Sequence, residues 1–166
     1  MAASDAIDAV YIASPNKLHT AHARVFLEHG KHVICEKPLA AHADEVRALQ
    51  ALAAERGLVY LEAIMFMHLP QRRLLEAALG KIGPVTMAKI DFCQRSSKYD
   101  AYLAGNLPNI FNPALETGAL MDLGVYCVYP ALHLFGEPEN MQITARLLDS
   151  GATAAASSRC STRTSS

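Results

Sequence analysis

The sequence predicts an α/β fold in which a parallel sheet of strand–helix–strand units is followed by the start of a second, α+β segment. Two observations predict it. Between residues 6 and 66, three short apolar runs alternate with two helical patterns over short connections, the signature of right-handed βαβ crossovers. After Phe66 that alternation stops, and a short helix, an alternating strand, a long polar stretch and an apolar helix follow.

Residues 6–13 (AIDAVYIA) are rich in branched and aromatic side chains and read as a buried strand of a parallel sheet. Ser14-Pro15-Asn16 is a turn signal, and a helical pattern runs from Lys17 to Glu28, with Gly30 where a C-terminal cap belongs. His32 to Cys35 (HVIC) is a second strand, ending at Glu36-Lys37-Pro38. Residues 44–56 place leucines and valine at helical spacing before Gly57, and residues 58–66 are a third strand. Beyond them, residues 71–79 predict a short helix and residues 84–93 a half-exposed strand. Residues 96–116 are polar and turn-rich, a loop long enough to suggest function or mobility. Thr117-Gly118 opens an apolar helix to Phe135, and residues 141–148 predict a further strand. The Ala/Ser/Thr/Arg-rich residues 152–166 lack apolar periodicity and read as a disordered terminus.

Composition narrows the function classes. Of the 166 residues, 51% are hydrophobic and 19% charged, and the formal net charge is −1. With no basic stripe, neither nucleic acid nor an anionic membrane finds an electrostatic footprint. Four scattered cysteines without a C-x-x-C pair read as thiols in a reducing compartment, not as a disulfide frame or zinc site. The start has no basic, then apolar, secretory pattern. Asp122, Pro130 and His133 interrupt the most apolar stretch, which reads as a buried helix and not a membrane span. A cytoplasmic location is the expectation.

In doubly wound sheets, ligands bind beyond the carboxyl ends of the strands. Both polar triplets, Ser14-Pro15-Asn16 and Glu36-Lys37-Pro38, fall there. Lys37 would direct its ammonium into that crevice, although an isolated Glu-Lys-Pro triplet is more often a solvated turn. Asp122 and Tyr126 are four apart on the predicted helix and share a face. There they could orient a sugar hydroxyl and exchange a proton with it. Local bonding of Asp122 and core packing of Tyr126 is the plainer reading of the pair.

Taken in order, V-Y-I-A-S-P-N-K-L-H, V-I-C-E-K-P-L-A and G-A-L-M-D-L-G-V-Y, with L-F-G following, resemble the glucose–fructose oxidoreductase/inositol dehydrogenase/rhizopine-catabolism family. Tyr126, where many members carry histidine, is most similar to the glucose–fructose oxidoreductase and dihydrodiol dehydrogenase branch. The resemblance implies the C-terminal part of a Rossmann-type dinucleotide-binding domain over residues 1–66, and the start of an α+β substrate and dimerisation domain over residues 67–151. It implies an NADP- or NAD-dependent oxidoreductase acting on a sugar, polyol or dihydrodiol, homo-oligomeric at full length. It assigns Ser14, Pro15, Asn16, His19, Glu36, Lys37 and Pro38 to the cofactor, Asp122 to the substrate, and Lys37 and Tyr126 to the chemistry. Hydride leaves a secondary alcohol only as its hydroxyl proton is removed. A neighbouring ammonium favours the phenolate form of a tyrosine, whose free pKa is ~10.

The sequence departs from the family pattern at both ends. The G-x-G-x-x-G turn that holds the diphosphate does not occur, nor does the residue that separates NAD from NADP. These 166 residues alone are therefore expected to bind NAD(P)(H) weakly or not at all. A non-catalytic sugar- or nucleotide-binding regulator, or a pseudogene fragment, is the alternative to an enzyme. A shifted reading frame from about Ala152 is the alternative to a genuine flexible tail.

Overall fold

The computed structural model describes residues 1–162. Strands β1 (Ala9–Ile12), β2 (His32–Cys35) and β3 (Tyr60–Glu62) lie side by side in that order, all parallel. Helices α1 (His19–Glu28) and α2 (Ala43–Glu55) make the two crossovers and pack on each other. Strand alternation decides which side chains they cover. Val33 and Cys35 are fully buried, whereas Ile34 between them is exposed. Ile12 joins that buried face, and Ala23, Leu27, Leu49 and Ala53 close it, each helix giving a pair four residues apart. Burying Leu27 and Leu49 contributes roughly 2 kcal/mol apiece. Tyr11, Ile34 and Leu61, paired across the opposite face, stay open.

The second half consists of α3 (Met65–His68), α4 (Gln71–Leu79), α5 (Tyr99–Leu103), α6 (Ala119–Asp122), α7 (Val125–Phe135) and an antiparallel hairpin of β4 (Asn140–Leu147) with β5 (Thr153–Ser161). Five expectations are corrected here. The third strand stops at Glu62, and Met65–His68 forms a helical turn where a longer strand was expected. Residues 84–93 form no strand and have no ladder partner among the described residues. The 96–116 stretch is no simple loop: it holds α5 and two single 3₁₀ turns, tied by contacts among Tyr99, Tyr102 and Phe111. The apolar helix is broken after Asp122, and its two parts are bent by 54°. No single helix among the described residues is long and apolar enough to cross a membrane.

The tail is the fifth correction. Thr153–Ser161 is a strand, its backbone groups taken up by the ladder with β4. Its lack of apolar alternation misled because nothing covers either face: both β4 and β5 are exposed almost throughout. A buried Ala152 and the Thr153 hydroxyl, which accepts from the Leu120 N–H at 2.9 Å, fasten the strand's start to α6. Residues 163–166 lie outside the described residues.

A cluster of Arg72, Glu76 and His133 fixes α4 to α7. Glu76 Oε1 accepts from Arg72 Nη1 at 2.5 Å and from His133 Nε2 at 2.6 Å. The His133 hydrogen bond first, and Arg72 second, hold the Glu76 carboxyl below its ordinary value. A depressed carboxylate stabilises the fold above its unfolded pKa, and the contribution is lost as pH falls through the folded one. Glu76→Gln should therefore melt at lower temperature than the parent near neutral pH. The difference should close as pH falls from the ordinary carboxylate range through the lowered pKa of the folded state. A gap that stays constant over that range would show that the cluster adds nothing electrostatic.

Candidate active site

Because all three strands of the sheet are parallel, their carboxyl ends open on one side. The turn after β1 presents Ser14, Pro15 and Asn16, the turn after β2 presents Glu36, Lys37 and Pro38, and β3 ends on Glu62. The half-buried α6–α7 joint lies across this edge. Lys37 Nζ donates to the Asp122 backbone carbonyl at 2.9 Å and sits 4.9 Å from the centroid of the Tyr126 ring. Residues far apart in sequence thus meet at one ammonium. Phe92 stacks on Tyr126 with ring centroids 5.3 Å apart, fixing the plane of the phenol.

The Asp122 carboxylate is anchored on both oxygens. Oδ2 accepts from the Gly118 N–H at 2.8 Å and Oδ1 from Asn16 Nδ2 at 3.3 Å. Asn16 Nδ2 also donates to the Glu116 carbonyl at 2.9 Å. Asn16 is therefore a strut between the first turn and the second half of the chain. Asp122 and Tyr126 do not share one helix, since the Leu123-Gly124 break separates them. Gly124 is required at that break: a Cβ there would lie 2.3 Å from the Leu120 carbonyl oxygen.

Glu36 is held by two donors. The Tyr11 hydroxyl donates to Oε1, and the Lys37 backbone N–H donates to Oε2 at 3.2 Å. The bond to Glu36 is the main cause that raises the Tyr11 phenol above its ordinary value. Ser14 presents its hydroxyl to His22 Nδ1 at 3.1 Å. Pro15 and Asn16 lead into the first helical turn, and Pro38 is buried behind Lys37. His19 lies beneath the turns and not on the crevice wall: it is 1% exposed, with both ring nitrogens against backbone carbonyls.

Sequence reasoning passed over Tyr11 and Glu62. Alternation puts Tyr11 on the face away from the helices, the same face as Ile34, one strand from Glu36, which was the available signal. Glu62 ends the third strand as Glu36 follows the second. Burial raises its carboxyl above the ordinary range, opposed by the Leu39 N–H, which it accepts at 2.9 Å, and by His19 and Lys37. Beside Asp122 opens a cleft of about 900 Å³ lined by Arg95, Lys98, Tyr99, Phe111 and Leu123 among others. Among the described residues no cluster of His, Cys, Asp or Glu could hold a metal ion.

Two family descriptions match in succession: "Oxidoreductase family, NAD-binding Rossmann fold" over residues 1–63, and "GFO/IDH/MocA C-terminal domain" over residues 72–165. The chain belongs to the GFO/IDH/MocA oxidoreductase family. Its first part is the Rossmann-type NAD-binding domain, and the second match runs through β5. An uncharacterized oxidoreductase, YgjR, of Escherichia coli (strain K12) is 52% identical over 151 residues. The scyllo-inositol 2-dehydrogenase (NADP(+)) IolU of Bacillus subtilis (strain 168) is 48% identical over the same length. Each alignment covers 91% of this chain and 46% of the relative, so the chain spans about half the length of these relatives. Among solved structures, the 3-ketoreductase KijD10 of Actinomadura kijaniata, in complex with NADP and TDP-benzene, superposes with a TM-score of 0.63. It is 28% identical, over 86% of this chain and 42% of that one.

Proposed function

We propose that this chain carries the catalytic centre of an NADP- or NAD-dependent oxidoreductase that moves hydride between nicotinamide and a hydroxyl of a sugar, polyol or dihydrodiol. The observation that carries the reading is the Lys37 ammonium over the Tyr126 ring, 4.9 Å from its centroid. The donor set at the strand ends suits a nicotinamide nucleotide: the Ser14 hydroxyl, the Lys37 ammonium and the Glu36 carboxylate offer both donors and an acceptor. Ser14, Pro15, Asn16, Glu36, Lys37 and Pro38 would hold it. The nicotinamide, when bound, takes up or supplies the hydride.

The chain's own residues handle the proton and the charge. Tyr126 removes the substrate hydroxyl proton as its oxygen turns toward a carbonyl, and returns it in the reverse direction. Lys37 spends one N–H on Asp122 and has two left for the reacting oxygen, where its charge stabilises a developing alkoxide. Asp122, held on the cleft wall, bonds neighbouring substrate hydroxyls. That cleft, about 900 Å³, is in the range of small-molecule sites; it meets the proposed centre at Asp122, and neither Lys37 nor Tyr126 lines it. The relatives' names, a scyllo-inositol dehydrogenase and trans-1,2-dihydrobenzene-1,2-diol dehydrogenases, favour cyclic polyols and diols.

The test is the complete protein assayed for reduced nicotinamide with scyllo-inositol, D-xylose and a trans-dihydrodiol, each with NADP and with NAD. Oxidation of at least one, faster with NADP, is expected. No turnover with any of the three classes would leave a binding protein as the better reading.

A further inference from the structure

The Asp122 carboxylate is held by two donors that come from different parts of the chain. The Gly118 N–H, at the start of the same helix α6, bonds Oδ2 at 2.8 Å. Asn16, from the turn after β1, bonds Oδ1 at 3.3 Å and the Glu116 carbonyl at 2.9 Å, both through Nδ2. A carboxylate and a carbonyl only accept, so the amide must present its NH2 group to both, and its oxygen faces away from them. Both amide hydrogens are thereby spent inside the protein. One bond fixes one oxygen of a carboxylate and leaves its plane free to turn; the second fixes the plane. Backbone shape serves the same contact. Pro15 sets an extended approach, φ −56° and ψ 144°, from which Asn16 opens a 3₁₀ turn. Glu116 takes a left-handed conformation, φ 59° and ψ 43°, uncommon for a residue with a side chain. Its carbonyl is the one that Asn16 meets.

We infer that Asn16 is a positioning residue for the substrate: its amide aims the Asp122 carboxylate at the hydroxyl beside the one being oxidised, and so sets a preference for vicinal diols over lone alcohols.

The role rests on the oxidoreductase reading, and it differs in its consequences from a place in the cofactor site. A side chain that held the nucleotide would give its donors to it, and losing that side chain would raise KM for the nicotinamide. A side chain acting through Asp122 leaves the nucleotide alone and changes which alcohol is chosen. The other donors at Asp122 are engaged elsewhere: Lys37 Nζ bonds its backbone carbonyl, and the Gly118 N–H bonds Oδ2.

The experiment compares a vicinal cyclohexanediol with cyclohexanol as substrates of the complete protein, read as a ratio of kcat/KM values. Such a ratio does not depend on the fraction of enzyme that is folded. The parent should favour the diol. Asn16→Leu, of similar bulk and without donors, should lower the ratio by about tenfold or more, the worth of one hydrogen bond to a charged group, and leave KM for the nicotinamide unchanged. Asn16→Asp, which keeps the shape but sets a second carboxylate against the first, should lower it at least as far. In Asp122→Ala the preference should already be gone, and adding Asn16→Leu should change it no further. A parental ratio in both Asn16 variants, an active parent that does not distinguish the two alcohols, or a loss confined to nicotinamide KM would each overturn the inference. A parent that oxidises neither alcohol would count against the oxidoreductase reading instead, and thermal melting then decides the strut. The double variant should lose less melting temperature than Asn16→Leu and Asp122→Ala lose together; full additivity would refute the contact.

Discussion

Lys37→Met and Tyr126→Phe are each expected to lower kcat of the complete enzyme by about 10²-fold or more, the ordinary worth of a positioned acid or base. Both substitutions keep shape and remove chemistry. Methionine fills the volume of the lysine stem without the ammonium that bonds the Asp122 carbonyl and faces the Tyr126 ring. Phenylalanine keeps the stack on Phe92 and the ring under Lys37, and loses only the hydroxyl that moves the proton. KM for the alcohol should therefore change less than kcat, the pattern of an interaction made in the transition state. The double variant should lose little more than either single one, because residues acting as a unit are not additive. The measurement is steady-state kinetics with the best substrate. Parental turnover in either variant would place the chemistry on other residues.

Most of this site was legible in the sequence because strand ends are. Three apolar runs set the sheet, and the first two were each followed by a polar triplet that the parallel topology had to bring to the same edge. Motif order then joined Lys37 to Asp122 and Tyr126. Less legible was what happens between elements. A 3.6-residue period cannot reveal the Leu123-Gly124 break, because Gly124 is needed for its lack of a side chain and not for its hydropathy. The pairing of β5 was hidden for a related reason: a strand open on both faces carries no apolar alternation, and only its backbone ladder defines it. Residues 84–93 show the converse, since they alternate as a strand does but have no neighbour to pair with among the described residues. His19 was noticed for its place in a motif, yet its burial between two carbonyls depends on both turns being folded.

Gly118→Ala is expected to destabilise the chain by at least about 2 kcal/mol, and to reduce kcat of the complete enzyme beyond what the lost stability explains. Two independent penalties apply. Gly118 holds φ 131° and ψ 170°, a region occupied almost only by glycine and costing other residues about 1–3 kcal/mol. A Cβ there would also lie 2.7 Å from Thr153 Oγ1 and 2.9 Å from the Thr153 backbone nitrogen, and overpacking of this kind costs about 1–3 kcal/mol. The first atom could rotate away, but only by abandoning the Leu120 N–H that it caps. The second belongs to the β5 ladder and cannot. The displaced backbone would carry with it the Gly118 N–H that anchors Asp122 Oδ2, freeing a carboxylate that is otherwise fixed on both sides. Adding Thr153→Ala should recover only part of the loss, since it removes the nearer clash, leaves the backbone one and orphans the cap. Thermal melting and steady-state kinetics of the three variants decide the matter. If the double variant returned fully to the parent's melting temperature, the left-handed backbone and the Thr153 nitrogen would have no part in holding this joint.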